Sequence, residues 1–365
     1  MYIESLRLRN YRNYDNEIIQ LKKGMNVVLG DNGEGKTNLL ESIYLLSTTR
    51  SHRNDEDKDL VKFGQEFSSV EGISVNNSGK EKIGVVIHGS GKTLLINSQP
   101  VKRNSEMIGR INAVLFAPTD MDLFDASPKT RRRVVDLEIG KLSVIYMYSL
   151  SNYLKSLKER NNYLKGNVDK IMLETLTEML YEPEIRIIRE RNEFINDINS
   201  YLSYFYNQIS GENHKVEIEY RSIIQEKEDE GLMREQLKSC YANLEERDIY
   251  LKQTNTGIHR EDYCFYLDDK EVSRFCSQGQ KRMVILAFKM SIVQIIYQKK
   301  REYPILLLDD VFSELDNKRK MCLLKLLPDS IQTVITTTDI NEVEILKNQN
   351  ISIINVRKGM INYGK

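Results

Sequence analysis

MNVVLGDNGEGKTNLLESIYLL, Met25 to Leu46, decides the fold. It opens with a short apolar run that ends at a glycine and closes with apolar residues at helical spacing, so it reads as strand, loop and helix. The loop, GDNGEGKT from Gly30 to Thr37, fits G-x-x-x-x-G-K-[ST]. Its glycines let backbone N–H groups approach phosphate oxygens, and the helix N-terminus adds a partial positive charge. Gly30, Asp31, Asn32, Gly33, Glu34, Gly35, Lys36, Thr37 and Asn38 are therefore the candidate nucleotide-binding residues. Lys36 would reach the β- and γ-phosphates, and the Thr37 hydroxyl would bind Mg²⁺. An ordinary glycine-rich turn is the bland reading. The strand–loop–helix context tells against it.

A second stretch supports the first. ILLLDD, Ile305 to Asp310, is four apolar residues followed by two acids, the pattern of a strand buried on both faces of a parallel sheet. Ligands in open α/β sheets sit at the carboxyl ends of such strands. Asp309 would bind Mg²⁺ through water opposite Thr37, and Asp310 would polarise the attacking water. A later apolar strand, TVITTTD, ends near Thr338, a candidate sensor of the γ-phosphate. One loop remains: CSQGQKR, Cys276 to Arg282, whose Ser277, Gln278, Gly279 and Gln280 also suit phosphate. One nucleotide does not need two such loops.

The rest of the chain frames these segments. Its 365 residues exceed what one core needs, and 53 basic against 53 acidic side chains leave a formal charge of zero, so any basic surface must be local. No run of eighteen apolar residues and no apolar signal core are present, which predicts a soluble, cytoplasmic protein without membrane partners. Cys240, Cys264, Cys276 and Cys322 show no CxxC spacing and are expected as reduced thiols. Residues 1–127 and 254–365 read as α/β and are expected to form one split domain. Residues 128–253 read as a mostly helical insert. Its first helix carries Leu150, Tyr153, Leu154, Leu157 and Leu164 on one stripe. A second stops near Pro183, a third runs from Ile185 to about Gly211, and HKVEIEYRSI is a lone strand.

The phosphate loop, SQGQ, LLLDD and SELD, in that order, resemble the ATP-binding-cassette ATPases, an α/β ATPase head here with a helical inserted domain. LRLRNYRNYDN and GDNGEGKTNLLESIYLL look like the branch with the SMC proteins and RecF. RSHR (Arg50–Arg53), VLFAPTD (Val114–Asp120), SPKTRRRVVD (Ser127–Asp136) and TGIHRED (Thr256–Asp262) resemble the bacterial RecF family over nearly the whole chain. The sequence departs from the family's pattern at Thr119, at Cys276, and at Ile258, where a proline is expected. The resemblance implies ATP and Mg²⁺ as cofactors, with Lys36 and Asp310 catalytic and Thr37 and Asp309 at the metal. It also answers the two-loop question: Ser277, Gly279 and Gln280 would contact ATP bound by the other protomer of a homodimer. The implied activity is slow, DNA-stimulated ATP hydrolysis by a clamp on double-stranded DNA and single-strand/double-strand junctions. The implied partners are RecR, with RecO and RecA in the pathway.

Candidate DNA contacts are Lys102, Arg103, Arg131, Arg132 and Arg133, side chains that would meet phosphates rather than bases. A solvated charged face is the bland reading of any one cluster, and Arg186, Arg189 and Arg191 lie among acids able to form helix ion pairs. Three readings compete: the ATPase subunit of a membrane transporter, which has no place for RSHR or TGIHRED; a short SMC-like protein, whose arms here would span only tens of ångströms at ~1.5 Å per helical residue; and a nucleotide-regulated structural dimer without useful turnover.

Overall fold

The computed structural model describes residues 1–53, 56–339 and 351–363. The chain falls into two compact units: Met1–Asp120, Phe205–Glu212 and Ile285–Lys365 form the first, Met121–Tyr204 and Asn213–Val284 the second.

In the first unit, β1 (Tyr2–Tyr11) and β2 (Tyr14–Gln20) form a hairpin, and β3 (Met25–Leu29) leads into the phosphate loop and helix α1 (Lys36–Thr48). Then β4 (Phe67–Asn76), β5 (Gly79–His88), β6 (Gly91–Ile96) and β7 (Gln99–Val101) extend the hairpin into a six-stranded antiparallel sheet, ordered β2-β1-β4-β5-β6-β7. β8 (Ala113–Phe116) enters a different sheet.

The second unit begins with α2 (Pro128–Leu142), α3 (Val144–Tyr163) and α4 (Lys170–Ser210). β9 (Val216–Arg221) and α5 (Glu230–Leu251) follow. β10 (Asp262–Leu267), β11 (Lys270–Glu271) and α6 (Val272–Phe275) precede the long helix α7 (Gln278–Lys300). The first unit resumes within α7, at Ile285, and continues with β12 (Ile305–Leu308), α8 (Asn317–Leu326), β13 (Thr333–Thr337), β14 (Ile351–Arg357) and β15 (Met360–Tyr363). Its second sheet is ordered β15-β14-β3-β13-β12-β8, parallel except for the edge strand β15. Val27, Val28, Val334 and Ile305 to Leu308 are all fully buried, as a parallel sheet requires. Among the described residues no helix is long and apolar enough to cross a membrane.

Three expectations are corrected. Residues 254–284, expected with the α/β part, belong to the second unit, because β10 pairs with β9 and not with the sheet of the phosphate loop; residues 205–212 pass to the first. Pro183 does not stop a helix: α4 runs through it. Pro183 removes one intrahelical donor at about 3 kcal/mol. Leu173, Leu176, Leu180, Ile185, Ile188 and Ile195 stay buried in register across it, and each such side chain gains about 1.5–3 kcal/mol. On α3, Leu154 is 52% exposed; the buried stripe is Tyr146, Ser149, Tyr153, Leu157 and Arg160.

Arg160 is one of several charges in the core of the second unit. They converge on residues 254–262. Arg160 donates to Asp248 Oδ2 at 2.9 Å and to Thr254 Oγ1 at 2.7 Å. Arg191 donates to Glu261 Oε2 at 2.7 Å, to Asp136 Oδ1 at 2.8 Å and to the Ile258 carbonyl at 3.1 Å. His259 meets the Tyr153 hydroxyl at 2.7 Å through Nδ1, and burial lowers its pKa to about 4. Gly257 has φ 121, and a Cβ there would stand 2.4 Å from the Tyr153 hydroxyl. The Ile258 N–H and the Tyr241 hydroxyl each donate to Glu184 Oε1 at 3.0 Å. Burial pushes the Glu184 carboxyl up to about 8, against those hydrogen bonds, and its Oε2 has no hydrogen-bond partner.

The sign of the resulting pH dependence is fixed. Between the ordinary value of 4.5 and about 8 the unfolded chain gives up the Glu184 proton while the folded chain holds it, so this group's contribution to stability falls as pH rises. Glu184→Gln keeps an acceptor for the Ile258 N–H and removes the titration. Its melting temperature, measured against wild type from pH 5 to pH 8.5, should gain steadily on wild type; a constant difference would show that Glu184 does not titrate in this window.

Candidate functional site

The phosphate loop joins β3 to α1 in the first unit, and its geometry follows from its glycines. Gly33 and Gly35 have φ 82 and 119, the left-handed region. A Cβ on Gly30 would lie 2.4 Å from the Val356 carbonyl oxygen, and one on Gly35 2.6 Å from Asn13 Nδ2. The first-turn amides of α1, from Lys36 onward, have no partner inside the helix. That is the donor set a phosphate needs.

The loop's carbonyls are held from outside. Asn13 Nδ2 donates to the Glu34 carbonyl at 2.7 Å, and the Gly359 N–H donates to the same oxygen at 3.0 Å. The Lys358 N–H reaches the Glu34 carboxylate. The Tyr14 hydroxyl donates to the Gly35 carbonyl at 2.9 Å, and Lys36 Nζ to the Asp31 carbonyl at 3.0 Å. Asn38 Nδ2 donates to Asn13 Oδ1 at 2.9 Å, and Arg53 Nη1 to Asn38 Oδ1 at 3.0 Å.

RSHR also has a structural account. The Ser51 hydroxyl donates to Glu41 Oε1 at 2.6 Å, beside Arg12, whose Nη2 donates to the same oxygen at 2.7 Å. Burial raises the Glu41 pKa, but the Arg12 and Ser51 hydrogen bonds outweigh it and the net shift is downward. Burial lowers the His52 pKa to about 4, and its ring lies edge-on to Tyr44.

Asp309 follows β12 and faces the loop. The Thr37 hydroxyl donates to Asp309 Oδ1 at 2.9 Å. Burial pushes the Asp309 carboxyl above its ordinary value, against the Thr336 and Thr37 hydroxyls, which favour the carboxylate. Asp310 adopts the left-handed conformation, φ 49. A hydroxyl and one carboxylate beside a phosphate loop fit Mg²⁺, which takes one or two carboxylates and completes its shell with phosphate oxygens and water. Thr338, the candidate sensor, is exposed just past the end of β13. The strand's hydroxyl that reaches the acids is that of Thr336, buried two residues earlier.

Ser277–Gln280 lie in the second unit, at the start of α7. The Ser277 N–H donates to Gln280 Oε1 at 2.9 Å and the Gln280 N–H donates to Ser277 Oγ at 3.3 Å. This reciprocal pair is a capping box. Gly279 is exposed, its φ is ordinary, and a Cβ there would meet nothing nearer than 4.0 Å.

Two of the candidate DNA contacts are engaged internally. Arg131 grips Asp262 through Nε and Nη2, both at 2.7 Å, and Arg132 donates to the Glu261 carbonyl. These two guanidinium groups tie α2 to Glu261 and Asp262, at the start of β10. Lys102, Arg103 and Arg133 are exposed. Arg191 likewise forms tertiary ion pairs rather than pairs along its own helix.

Comparison with known proteins bears on this arrangement. The sequence matches the family described as RecF/RecN/SMC N terminal domain across residues 2–362. The DNA replication and repair protein RecF of Streptococcus suis is 38% identical over 363 residues, covering 99% of each chain. That of Geobacillus sp. is 37% identical over 351 residues, 94% of each. A structure of the recombination mediator protein RecF-ATP in the RecFOR pathway superposes with a TM-score of 0.92 at 32% identity, covering 100% of this chain and 98% of that one. The Smc head domain of Pyrococcus furiosus, at 17% identity and a TM-score of 0.59, shares the fold. The architecture is that of the ABC/SMC-type ATPase head.

Asn13→Ala removes both the donor to Glu34 and the acceptor of Asn38. It should weaken binding of a fluorescent ATP analogue by roughly tenfold, at the scale of one or two hydrogen bonds. Titration of the purified variant checks this, and unchanged affinity would mean the loop holds its shape without the β1–β2 turn.

Proposed function

Because the chain belongs to the RecF family, within the RecF/RecN/SMC group, we propose that it is an ATP-dependent DNA-binding protein of recombinational repair and replication. The observation that carries this reading is the meeting of the glycine-shaped loop, Thr37 and Asp309 at the carboxyl end of a parallel sheet.

Backbone amides of the loop and Lys36 bind and orient the phosphates of ATP. Thr37 and Asp309 would hold Mg²⁺, which neutralises charge on the β- and γ-phosphate oxygens when bound. Asp310 accepts a hydrogen bond from the water that attacks the γ-phosphate. Ser277, Gly279 and Gln280 supply the second face of the site on another copy of the chain, so that two ATPs lie at one isologous interface. What supports this is Gly279: one chain's own fold does not call for glycine there, whereas close approach of a second body does. The dimer forms with ATP on double-stranded DNA and at gap junctions, and slow, DNA-stimulated hydrolysis releases it. Lys102, Arg103, Arg131, Arg132 and Arg133 are the candidates for phosphate contacts, and Lys102, Arg103 and Arg133 are exposed. The protein acts in the cytoplasm with RecR and RecO to load RecA on single-stranded gaps, in keeping with the pathway in which the RecF structures are described.

The test is solution mass by light scattering with no nucleotide, with ADP and with a non-hydrolysable ATP analogue. Wild type should double its mass with the analogue alone; an unchanged mass would overturn the dimer. Gly279→Glu leaves the capping box intact and suits a helix N-terminus, yet places a carboxylate where the partner's γ-phosphate would come. It should bind ATP as a monomer and not dimerise. Asp310→Asn should stay dimeric with ATP long after wild type has dissociated.

A further inference from the structure

Thr336 has no role in the reading above. It lies on β13, between β3, which carries the phosphate loop, and β12, which carries the two acids. Its side chain is fully buried. The Asp310 N–H donates to Thr336 Oγ1 at 2.9 Å, and Oγ1 lies 2.9 Å from Asp309 Oδ1. A hydroxyl has one proton to give. Two other acceptors, the Leu308 carbonyl and Asp310 Oδ1, stand farther off at 3.5 Å. The proton therefore goes to Asp309, while the oxygen accepts from Asp310.

We propose that Thr336 is a positioning residue of the ATPase site, whose one hydroxyl fixes the Asp309 carboxylate and the backbone of Asp310 together. This rests on the ATP-site reading given above. Asp309 Oδ1 receives two donors here, Thr37 and Thr336. In a site that holds Mg²⁺, the Thr37 oxygen would turn to the ion, and Thr336 would be the hydroxyl left holding Oδ1. Its second bond bears on Asp310, a non-glycine residue at φ 49, a conformation that persists where surroundings enforce it. Sheet formation does not explain the hydroxyl. Valine would fill the same buried strand position with the same branching.

The test compares Thr336→Val with Thr336→Ser. Binding of a fluorescent ATP analogue is titrated in EDTA and against rising Mg²⁺, and steady-state hydrolysis is followed separately over a range of ATP concentrations. In the valine variant, binding in EDTA should stay within about twofold of wild type. Its half-maximal Mg²⁺ concentration should rise about tenfold and kcat should fall about tenfold or more with a smaller change in KM, the scale of one hydrogen bond to a charged group. Serine should restore both within about twofold. A valine variant with the wild-type Mg²⁺ response and kcat overturns the proposal, as does a serine variant as impaired as valine, since packing would then be the cause. Should valine not fold, by melting temperature, Thr336→Ala is read the same way. Lys36→Ala is the control on the site itself. If it binds nucleotide as wild type does, the ATP-site reading falls; if it does not bind and valine behaves as wild type, only the role of Thr336 falls.

Discussion

A loop that turns its N–H groups inward toward a phosphate turns carbonyl oxygens outward, and those oxygens need partners of their own. Much of the first unit answers to that constraint. The Glu34 and Gly35 carbonyls are satisfied by Asn13 and Tyr14 and by Gly359, which lies more than three hundred positions further along the chain. The β1–β2 turn and the β14–β15 turn must therefore both be in place before the loop has its shape. The same closeness dictates composition. Gly35 leaves room for the Asn13 side chain, and Gly359 for the Asn13 carbonyl, which a Cβ would meet at 2.3 Å. The shape of the loop is in this sense a property of the whole unit, not of eight consecutive residues.

The second unit is organised by a different problem, buried charge. An ion taken from water is tolerated where it is paired and hydrogen-bonded, and removal of one partner is costly. Arg160, Arg191, Asp248 and Glu261 are buried in ion pairs, Glu184 is buried holding its proton, and the segment 254–262 supplies or touches a partner of each. The segment 254–262, which contains TGIHRED, is thus the hub that ties α2, α3, α4 and α5 together. The departure at Ile258 fits this account. Its N–H donates to Glu184, a bond that a proline could not make.

The phosphate loop and the carboxylate strand were legible because each is a local signal: an apolar run, glycines at fixed offsets, acids at a strand end. The helices were legible as apolar stripes, except where polar residues occupy the stripe. Arg160 and Ser149 lie on the buried side of α3, and no hydropathy pattern announces them. Strand order was not legible at all. Nothing in TVITTTD says that β13 runs between β3 and β12, so nothing could choose Thr336 over Thr338. The choice depends on the register in which Ile335 pairs with Leu308, which sets Thr336 beside Asp309. The internal partners of Arg131 and Arg132 were hidden for a related reason. A basic cluster looks free in sequence whenever its acceptors, the Asp262 carboxylate and the Glu261 carbonyl here, lie more than a hundred residues away.

The loop SQGQ shows how the fold's own demands can be separated from those of function. Ser277 and Gln280 cap α7 reciprocally, and this accounts for both side chains without any ligand. Gly279 is left over. In the first turn of a long helix alanine would be preferred to glycine by about 1 kcal/mol. Gly231 occupies the equivalent place in α5, but there a Cβ would crowd Asp229 Oδ1 at 3.2 Å; at Gly279 nothing stands within that distance. Gly30, Gly35 and Gly359 each face a neighbour inside the chain. Gly279 faces open space, so no neighbour within the described chain accounts for its missing side chain. The part of a motif that the fold leaves unexplained is the part on which the homodimer reading rests.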